Sequence, residues 1–420
     1  MTRRLSICYA APGQLLLTTA GPTRNVLSVA EALSESADVT LAFRSLAEPM
    51  NSRPFQVLSI EDAPTPIASR DDVTVRGLNP LIHTRYLRTL RRFARRAAKD
   101  YDIVLEKGWR FSGYLAHHVK LCGGLSALIE NDVRYWNEPV RDLRALARFL
   151  AQRAAQSIAA RCSRSAPLII AETEELKEAL VDLRGVDPDR IEVVELGVDH
   201  DMFHPMEQES ARGMLGIDRD VLMLLYVGGL DIYHDLGQVI QALARAPSGS
   251  RIELHVVGDG HLRLLDEQSA QRLGVAVQFH GQVAHHRVPV FIAAADLCLA
   301  PYQPSRFYGG RITFSTLKIP EYMACERPVA SVPHGHILKL IDDRVTGFLV
   351  DNQADAWLAF LRAMPSRARL AEMGRSAAGR VASLSWRATA ARYLELSLEL
   401  RTRSAAENPE YERVARLPDP

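Results

Sequence analysis

The sequence predicts an α/β protein built from two doubly wound domains in tandem. Three observations predict it. The chain has 420 residues, and at ~100–200 residues per domain that is two domains or three. Short apolar runs rich in β-branched residues alternate with longer stretches of helical periodicity, the pattern of parallel sheets covered by helices. Several of those runs end in glycine, which suits a tight strand-to-helix turn.

Taken in order, LSICYA (residues 5–10) and VTLAF (39–43) read as buried strands, with the helical NVLSVAEALSES between them. YDIVLE (101–106), SALIE (126–130), PLIIAE (167–172) and IEVVEL (191–196) follow, separated by helical stretches. After residue 200 a second series begins with VLMLLYVGG (221–229) and the helical QVIQALARA. RIELHVVGDG (251–260), AVQFHG (276–281), DLCLAPY (296–302), RPVASV (327–332) and GFLV (347–350) complete it. The expected division is a first domain over residues 1–199 and a second over 200–385, with GVDHDMFHP (197–205) as hinge. A C-terminal helix and tail fill 386–420, and a return of this segment to the first domain is one arrangement open to it. Ligands of open α/β sheets sit beyond the carboxyl ends of the strands, so two such domains would face a central cleft.

Composition narrows the class. With 47% hydrophobic and 24% charged residues the chain is an ordinary globular one. Lys plus Arg is 51 against 50 Asp plus Glu, which excludes a wholly basic protein and speaks against nucleic acid as partner. Cys8, Cys122, Cys162, Cys298 and Cys325 are scattered without C-x-x-C spacing, so reduced, buried thiols are expected. The histidines show no H-E-x-x-H or comparable pattern, and no protein-bound metal is expected. The N-terminus has no long apolar segment of the signal-peptide kind, and no run reaches the ~18 apolar residues of a membrane span.

Three turns are candidates for chemistry. AAPGQLLLTTAGPTRNV carries Gly13 and Gly21 ahead of a helix expected to start near Thr23. It does not match G-x-G-x-x-G, so it gives little support to a nicotinamide dinucleotide site. YVGGLDIYHDLG places Gly228 and Gly229 directly after a strand, with Asp231, His234 and Asp235 in the turn, and it is not a G-x-x-x-x-G-K-[ST] loop. In FSTLKIPEYMACERPVAS, Ser315 or Thr316 is expected to cap a short helix whose Lys318 and Glu321 share a face. Backbone N–H groups there would suit a phosphate with Lys318 as a nearby point charge, and Glu321 would suit a sugar diol. A plain surface Lys–Glu pair has the same spacing.

These pieces together resemble the GT-B glycosyltransferases, specifically the large retaining set of bacterial group 1 and family 4 enzymes. The residues that carry the resemblance stand in family order: LLYVGGLDIYHDLGQVIQAL, LHVVGDGHLRLLDE, VQFHGQVAHHRVPVFIAAADLCLAPY, FSTLKIPEYMACERPVAS and VTGFLV, then the late Ser385-Trp386. In the first half, YDIVLEKGW and ALIENDVRYWNEP are similar to one branch of the family. The resemblance spans roughly residues 1–390. It implies two Rossmann-like domains and a hexosyl or hexosaminyl transfer from a UDP- or GDP-sugar to an acceptor hydroxyl. No cofactor beyond that donor is implied, and the setting would be cytoplasmic synthesis of glycans, glycolipids or secondary metabolites.

Residue by residue, the resemblance implies that Glu321 binds the donor ribose, as the second acid of a motif with seven residues between two acids. Ser315, Thr316 and Leu317 would receive the donor phosphates on their backbone, Lys318 matches a lysine common in one branch, and Gly281 and Val283 would lie against the base. Gly13 and Gly21 would approach donor and acceptor, and Glu106, Glu130 and Asp132 would meet acceptor hydroxyls or simply cap turns. Catalytic roles fall to His234, Lys318 and Glu321. Three departures stand out. Thr313 occupies the place of the first acid, Gly229 occupies the place of a common diphosphate-binding arginine, and His234 stands near the usual lysine. His234, Lys318 and either Arg306 or Arg311 are expected to neutralise the diphosphate instead. A degenerate member that only binds a sugar nucleotide, or serves as a partner subunit, is the alternative the same departures allow.

The near-zero net charge conceals an asymmetry. Residues 76–164 hold 18 Lys plus Arg against 7 Asp plus Glu. HTRYLRTLRRFARRAAK (83–99) sets an apolar stripe of Leu87, Leu90, Phe93, Ala94 and Ala97 against seven basic residues, and RDLRALARFLAQRAAQSIAARCSR (141–164) adds a second basic helix. Two readings are open: ordinary helices with solvated arginines, or a face that attracts an anionic acceptor or the inner face of an anionic membrane. The donor sugar, the acceptor and the oligomeric state are not legible in the sequence.

Overall fold

A computed structural model describes residues 3–16, 21–46, 53–61, 80–133, 140–246 and 251–407. The chain divides into two compact units, Met1–Glu195 with Trp386–Pro420, and Leu196–Ser385.

The first unit is a seven-stranded sheet whose pairs are all parallel, in the order β3-β2-β1-β4-β5-β6-β7. Its strands are β1 (Ser6–Leu16), β2 (Asp38–Leu46), β3 (Gln56–Ser59), β4 (Ile103–Lys107), β5 (Ser126–Glu130), β6 (Ile169–Ala171) and β7 (Ile191–Val193). β4, β5 and β6 are buried along their whole length. This is why they read as continuous apolar runs and not as alternating ones: helices cover both faces. β3, which the sequence reading passed over, is short and mostly half-buried, with too few apolar residues to stand out. β1 runs on past residue 10 through Gly13, with an irregularity in its pairing to β2 between Ala11 and Leu15. The expected loop therefore starts later than foreseen; part of it, residues 17–20, lies outside the described residues.

The helices of this unit are α1 (Gly21–Ser34), α2 (Pro80–Asp100), α3 (Tyr114–Leu121), α4 (Leu143–Ser165) and α5 (Glu174–Arg184), joined by the last helix of the chain. α1 begins at Gly21, ahead of Thr23. Asp142 caps α4 by accepting from the Ala145 N–H at 2.6 Å, and Thr173 caps α5 by accepting from the Leu176 N–H at 3.0 Å. Leu90, Phe93, Ala94 and Ala97 of α2 are buried in one face of the core with Tyr86, so the apolar stripe of this arginine-rich helix is used for packing.

The second unit is a six-stranded parallel sheet in the order β10-β9-β8-β11-β12-β13. Its strands are β8 (Leu222–Val227), β9 (Ile252–Val257), β10 (Val277–Gly281), β11 (Leu297–Ala300), β12 (Val329–Ser331) and β13 (Gly347–Leu349). Its helices are α6 (Gln208–Leu215), α7 (Gly237–Leu243), α8 (Arg263–Leu273), α9 (Val288–Ala294), α10 (Lys318–Ala324), α11 (Ile337–Leu340), α12 (Ala354–Arg362) and α13 (Arg367–Val381). Two apolar clusters fill the two faces of this sheet. The segment expected as a hinge is packed into this unit. Val198 and Phe203 are buried in its core, Val198 pairs with Ser385, and His200 Nε2 lies 2.8 Å from the Leu384 carbonyl.

The chain then returns to the first unit. Its last helix, α14 (Trp386–Glu407), buries Ala390, Tyr393, Leu396 and Leu400 against Val26, Val29, Ala30 and Leu33 of α1. The tail after it, 408–420, lies outside the described residues. Four of the five cysteines are buried and Cys122 is exposed, a correction to the expectation that all are interior.

Candidate functional site

In each unit the strand order reverses beside its first strand, and a crevice at such a reversal is where doubly wound sheets take ligands. In the second unit the reversal lies between β8 and β11. β8 ends at Val227 and runs into Gly228, whose φ of 150° suits glycine. The Gly228 N–H donates to the Val257 carbonyl at 2.9 Å, and the Leu230 N–H to the Asp259 carbonyl at 3.1 Å. This stitches the turn after β8 to the turn after β9. A Cβ on Gly258 would lie 1.9 Å from the Gly228 oxygen, and one on Gly260 2.1 Å from the Leu230 oxygen. The glycines of VVGDG are thus required by backbone packing beneath the site. Gly281 continues the series, its carbonyl accepting from the Gly258 N–H at 2.8 Å, while Val283 packs into the apolar core.

Lys318, the first residue of α10, sits over this turn. Its Nζ donates to the Tyr226 hydroxyl at 3.3 Å and stands 4.5 Å from the centre of that ring and 5.3 Å from the centre of Tyr302. The Tyr226 hydroxyl in turn donates to the Gly229 carbonyl at 2.6 Å. Tyr322, one turn on, anchors α10 to the strand end, since the Val227 N–H donates to its hydroxyl at 2.7 Å. Burial among these rings pulls the Lys318 pKa down to about 7, against the raising charges of Asp231 and Glu321. A cation held near half-protonation has much to gain from an arriving anion. A Cβ on Gly228 would meet Lys318 Nζ at 2.6 Å, so glycine leaves open the space beside the ammonium.

His234 Nδ1 lies 2.8 Å from Asp231 Oδ1. Burial, then the neighbouring Lys318 charge, lowers the His234 pKa to about 4 despite Asp231. Burial alone would raise Asp231, but the His234 hydrogen bond and charge hold its pKa below the usual value. His234 is therefore neutral at pH 7, with its proton on Nδ1 facing the carboxylate and a lone pair on Nε2. In the free protein His234 is thus an uncharged acceptor beside the cation, and the positive charge expected of it at a diphosphate is not present before a ligand arrives.

The helix start differs from expectation too. Leu317 is the capping residue and no side chain caps α10. Thr316 is buried and its hydroxyl pairs with that of Tyr302, while Ser315 is half-buried. Thr313 is buried, Glu321 is half-buried on α10, and Arg306 and Arg311 are exposed. Tyr226 and Tyr302, which form the walls around Lys318, escaped the sequence reading. Their signal was an aromatic residue at the carboxyl end of each switch-point strand, in LLYVGG and LAPY.

In the first unit the reversal lies between β1 and β4, and a cavity of about 470 Å³ opens there. Gly13, Trp109, Arg110, Asp132, Phe149, Arg153 and Arg184 are among its lining residues. A Cβ on Gly13 would lie 2.4 Å from Trp109 Cβ, so only glycine lets the strand pass this wall. Of the three acids expected to meet an acceptor, only Asp132 lines the cavity. Glu106 is fully buried. Its Oε1 accepts from Trp109 Nε1 at 2.8 Å and its Oε2 from the Ala116 N–H at 2.7 Å. Burial raises its pKa to about 8 against those two hydrogen bonds, with Glu130 adding to the rise. Glu130 is also fully buried and hydrogen-bonded to Arg184; burial raises its pKa while Arg184 opposes. The expectation of direct acceptor contact by Glu106 and Glu130 is corrected accordingly, because both carboxyls are turned inward, one to Trp109 and one to Arg184. Gly21 begins α1 and is not among the lining residues. A wider, open groove of about 1050 Å³ along α1 and α14 holds none of the predicted residues.

Comparison with known proteins identifies the class. Residues 222–364 match the family described as glycosyl transferases group 1, and residues 19–202 match glycosyltransferase family 4. Sucrose-phosphate synthase from Thermosynechococcus elongatus superposes with a TM-score of 0.74 at 20% identity, covering 95% of this chain and 100% of the other. Anabaena HepE in complex with UDP does so with a TM-score of 0.69 at 16% identity, covering 93% and 99%. D-inositol 3-phosphate glycosyltransferase of Frankia alni is 31% identical over 239 residues, 53% of this chain and 56% of the relative. The chain spans about half the length of the curated relatives it matches.

The fold is thus GT-B, two Rossmann-like α/β domains. The chain belongs to the group 1 and family 4 glycosyltransferases.

Proposed function

We propose that this protein transfers a hexosyl or hexosaminyl group from a nucleotide-diphosphate sugar to an acceptor hydroxyl with retention of anomeric configuration. The observation that carries the reading is the Lys318 ammonium, part-desolvated between Tyr226 and Tyr302 beside the Cβ-free space of Gly228. In the proposed reaction the acceptor oxygen attacks the anomeric carbon on the leaving-group side and the bond from that carbon to the diphosphate breaks. The acceptor proton passes to a departing phosphate oxygen. Negative charge grows on the diphosphate, and a preorganised cation lowers the barrier where that charge appears. Lys318 serves as this cation. Neutral His234 accepts a hydrogen bond from the sugar or the acceptor, and Glu321 accepts from the ribose hydroxyls. Ser315, Thr316 and Leu317 offer backbone donors to the phosphates. The donor is the only cofactor, with no protein-bound metal, and the UDP in the HepE complex makes uridine nucleotides the first to try. The reaction belongs in the cytoplasm or at the inner face of its membrane; no helix among the described residues is long and apolar enough to cross one.

Isothermal titration with UDP and GDP, followed by mass spectrometry of products from sugar nucleotides and supplied acceptors, tests the reading. Saturable binding with a glycosylated product supports it, and absence of nucleotide binding sinks it. Buried Thr313, in the place of an acid, favours a second reading as a binding subunit. Nucleotide binding without product under every acceptor would select that one.

A further inference from the structure

The sequence drew attention to α2 as the basic amphipathic helix, but its apolar stripe is spent on the core. A run of exposed leucines lies on α4 instead. Leu143, Leu146 and Leu150 are 83%, 39% and 57% exposed. At 3.6 residues per turn they share one face of the helix. On the same helix Phe149, Arg153 and Gln156 line the first-unit cavity, about a quarter turn away. Leu183, 37% exposed, is on the cavity lining as well. An apolar ridge therefore runs along the lip of a cavity that also carries Arg110 and Arg153. Solvent-facing leucines at this spacing are unusual for a helix that has already buried Ala155, Ala159 and Cys162 on its inner side.

We infer that this cavity takes an amphiphilic acceptor, a lipid bearing an anionic phosphate headgroup, whose hydrocarbon lies along Leu143, Leu146 and Leu150. The inference rests on the proposed glycosyl transfer and adds the class of its acceptor. Arg110 and Arg153 attract the phosphate, the Trp109 ring held by Glu106 offers a flat wall to the headgroup, and Asp132 places a carboxylate on the same lining. The leucine ridge gains by leaving water for hydrocarbon. The excess of basic side chains along residues 76–164 favours an anionic over a neutral lipid surface.

The test uses the full chain with dodecyl phosphate, inorganic phosphate, dodecyl maltoside and UDP by isothermal titration. In parallel it uses flotation with phosphatidylcholine vesicles, with and without phosphatidylglycerol. Dodecyl phosphate is expected to bind at least about tenfold more tightly than inorganic phosphate, since burying a few methylenes is worth that much. Replacing the ridge together (Leu143→Ser, Leu146→Ser, Leu150→Ser) should abolish that advantage and the capture by phosphatidylglycerol vesicles. It should leave inorganic phosphate and UDP affinity unchanged. Arg153→Ala should weaken dodecyl phosphate and inorganic phosphate alike. The inference is overturned if dodecyl phosphate binds no better than inorganic phosphate, if dodecyl maltoside binds as well, or if the serine variant floats like the wild type. UDP separates the two readings. Binding of dodecyl phosphate without UDP would leave the amphiphile site standing and remove the transferase reading; UDP binding without dodecyl phosphate would do the reverse.

Discussion

The Nζ of Lys318 lies 3.3 Å from the hydroxyl of Tyr226, a residue 92 positions earlier in the chain. That contact joins the first turn of α10 to the end of β8 and places a cation at the switch point of the second sheet. Lys318→Ala should therefore weaken nucleoside-diphosphate binding by about tenfold to a hundredfold, the range for losing a charge-assisted hydrogen bond. Isothermal titration reads it directly, and unchanged affinity would remove Lys318 from the site.

The same lysine sets a pH dependence. Its pKa in the free protein is about 7, lowered by burial against the raising charges of Asp231 and Glu321. A bound diphosphate stabilises the ammonium and raises that value, so above about pH 7 binding takes up a proton and affinity falls as pH rises, by at most about tenfold per unit. Titrations in buffers of different ionisation enthalpy will show the uptake. Asp231→Asn removes a charge that holds the proton and should move the onset to lower pH.

Gly258→Ala tests the packing beneath the site. Its φ of 136° disfavours any side chain, and the new Cβ would sit 1.9 Å from the Gly228 oxygen. A loss of about 1–3 kcal/mol or more is expected, together with weaker nucleotide binding because the displaced backbone is that of Gly228. Thermal denaturation with and without UDP checks both.

Glu106 makes a prediction about stability. Burial raises its pKa from 4.5 to about 8, so the folded protein holds a proton that the unfolded chain releases. Its stabilising contribution is complete below the unfolded value and is lost as pH rises through the folded one. Glu106→Gln should flatten that slope. It should also cost about 1–3 kcal/mol near pH 6, because an amide NH₂ must face either Trp109 Nε1–H or the Ala116 N–H and leaves one donor unpaired. Denaturation midpoints near pH 6 and near pH 9 should show the gap narrowing at the higher pH.

Much of the fold is legible in the sequence. The predicted strands are all present, and those buried on both faces, such as β4, β5 and β6, are written as uninterrupted apolar runs. β3 was not seen because its four residues, one exposed and three half-buried, carry no such run. The turn glycines were legible as a motif, but their reason was not: Gly258 and Gly260 are required by Gly228 and Leu230, about thirty residues away in the chain. Thr316 looked like a helix cap, yet its hydroxyl found Tyr302, a partner the local spacing cannot reveal.

What the sequence determined by itself is what short-range chemistry writes: the alternation of strands and helices, two parallel sheets, the family-ordered motifs and the surplus of arginine between residues 76 and 164. Tertiary structure alone decided the charge states and the allegiances of side chains. It neutralised His234, brought Lys318 to the edge of deprotonation and turned Glu106 inward to hold Trp109. It also returned the last helix to the first unit, and it gave the core to the apolar stripe of α2 while leaving the leucines of α4 in water. The physical reason is common to all of these. Burial and Coulomb energy depend on neighbours brought together from distant parts of the chain, and periodicity records only which side of an element is apolar, not what will cover it.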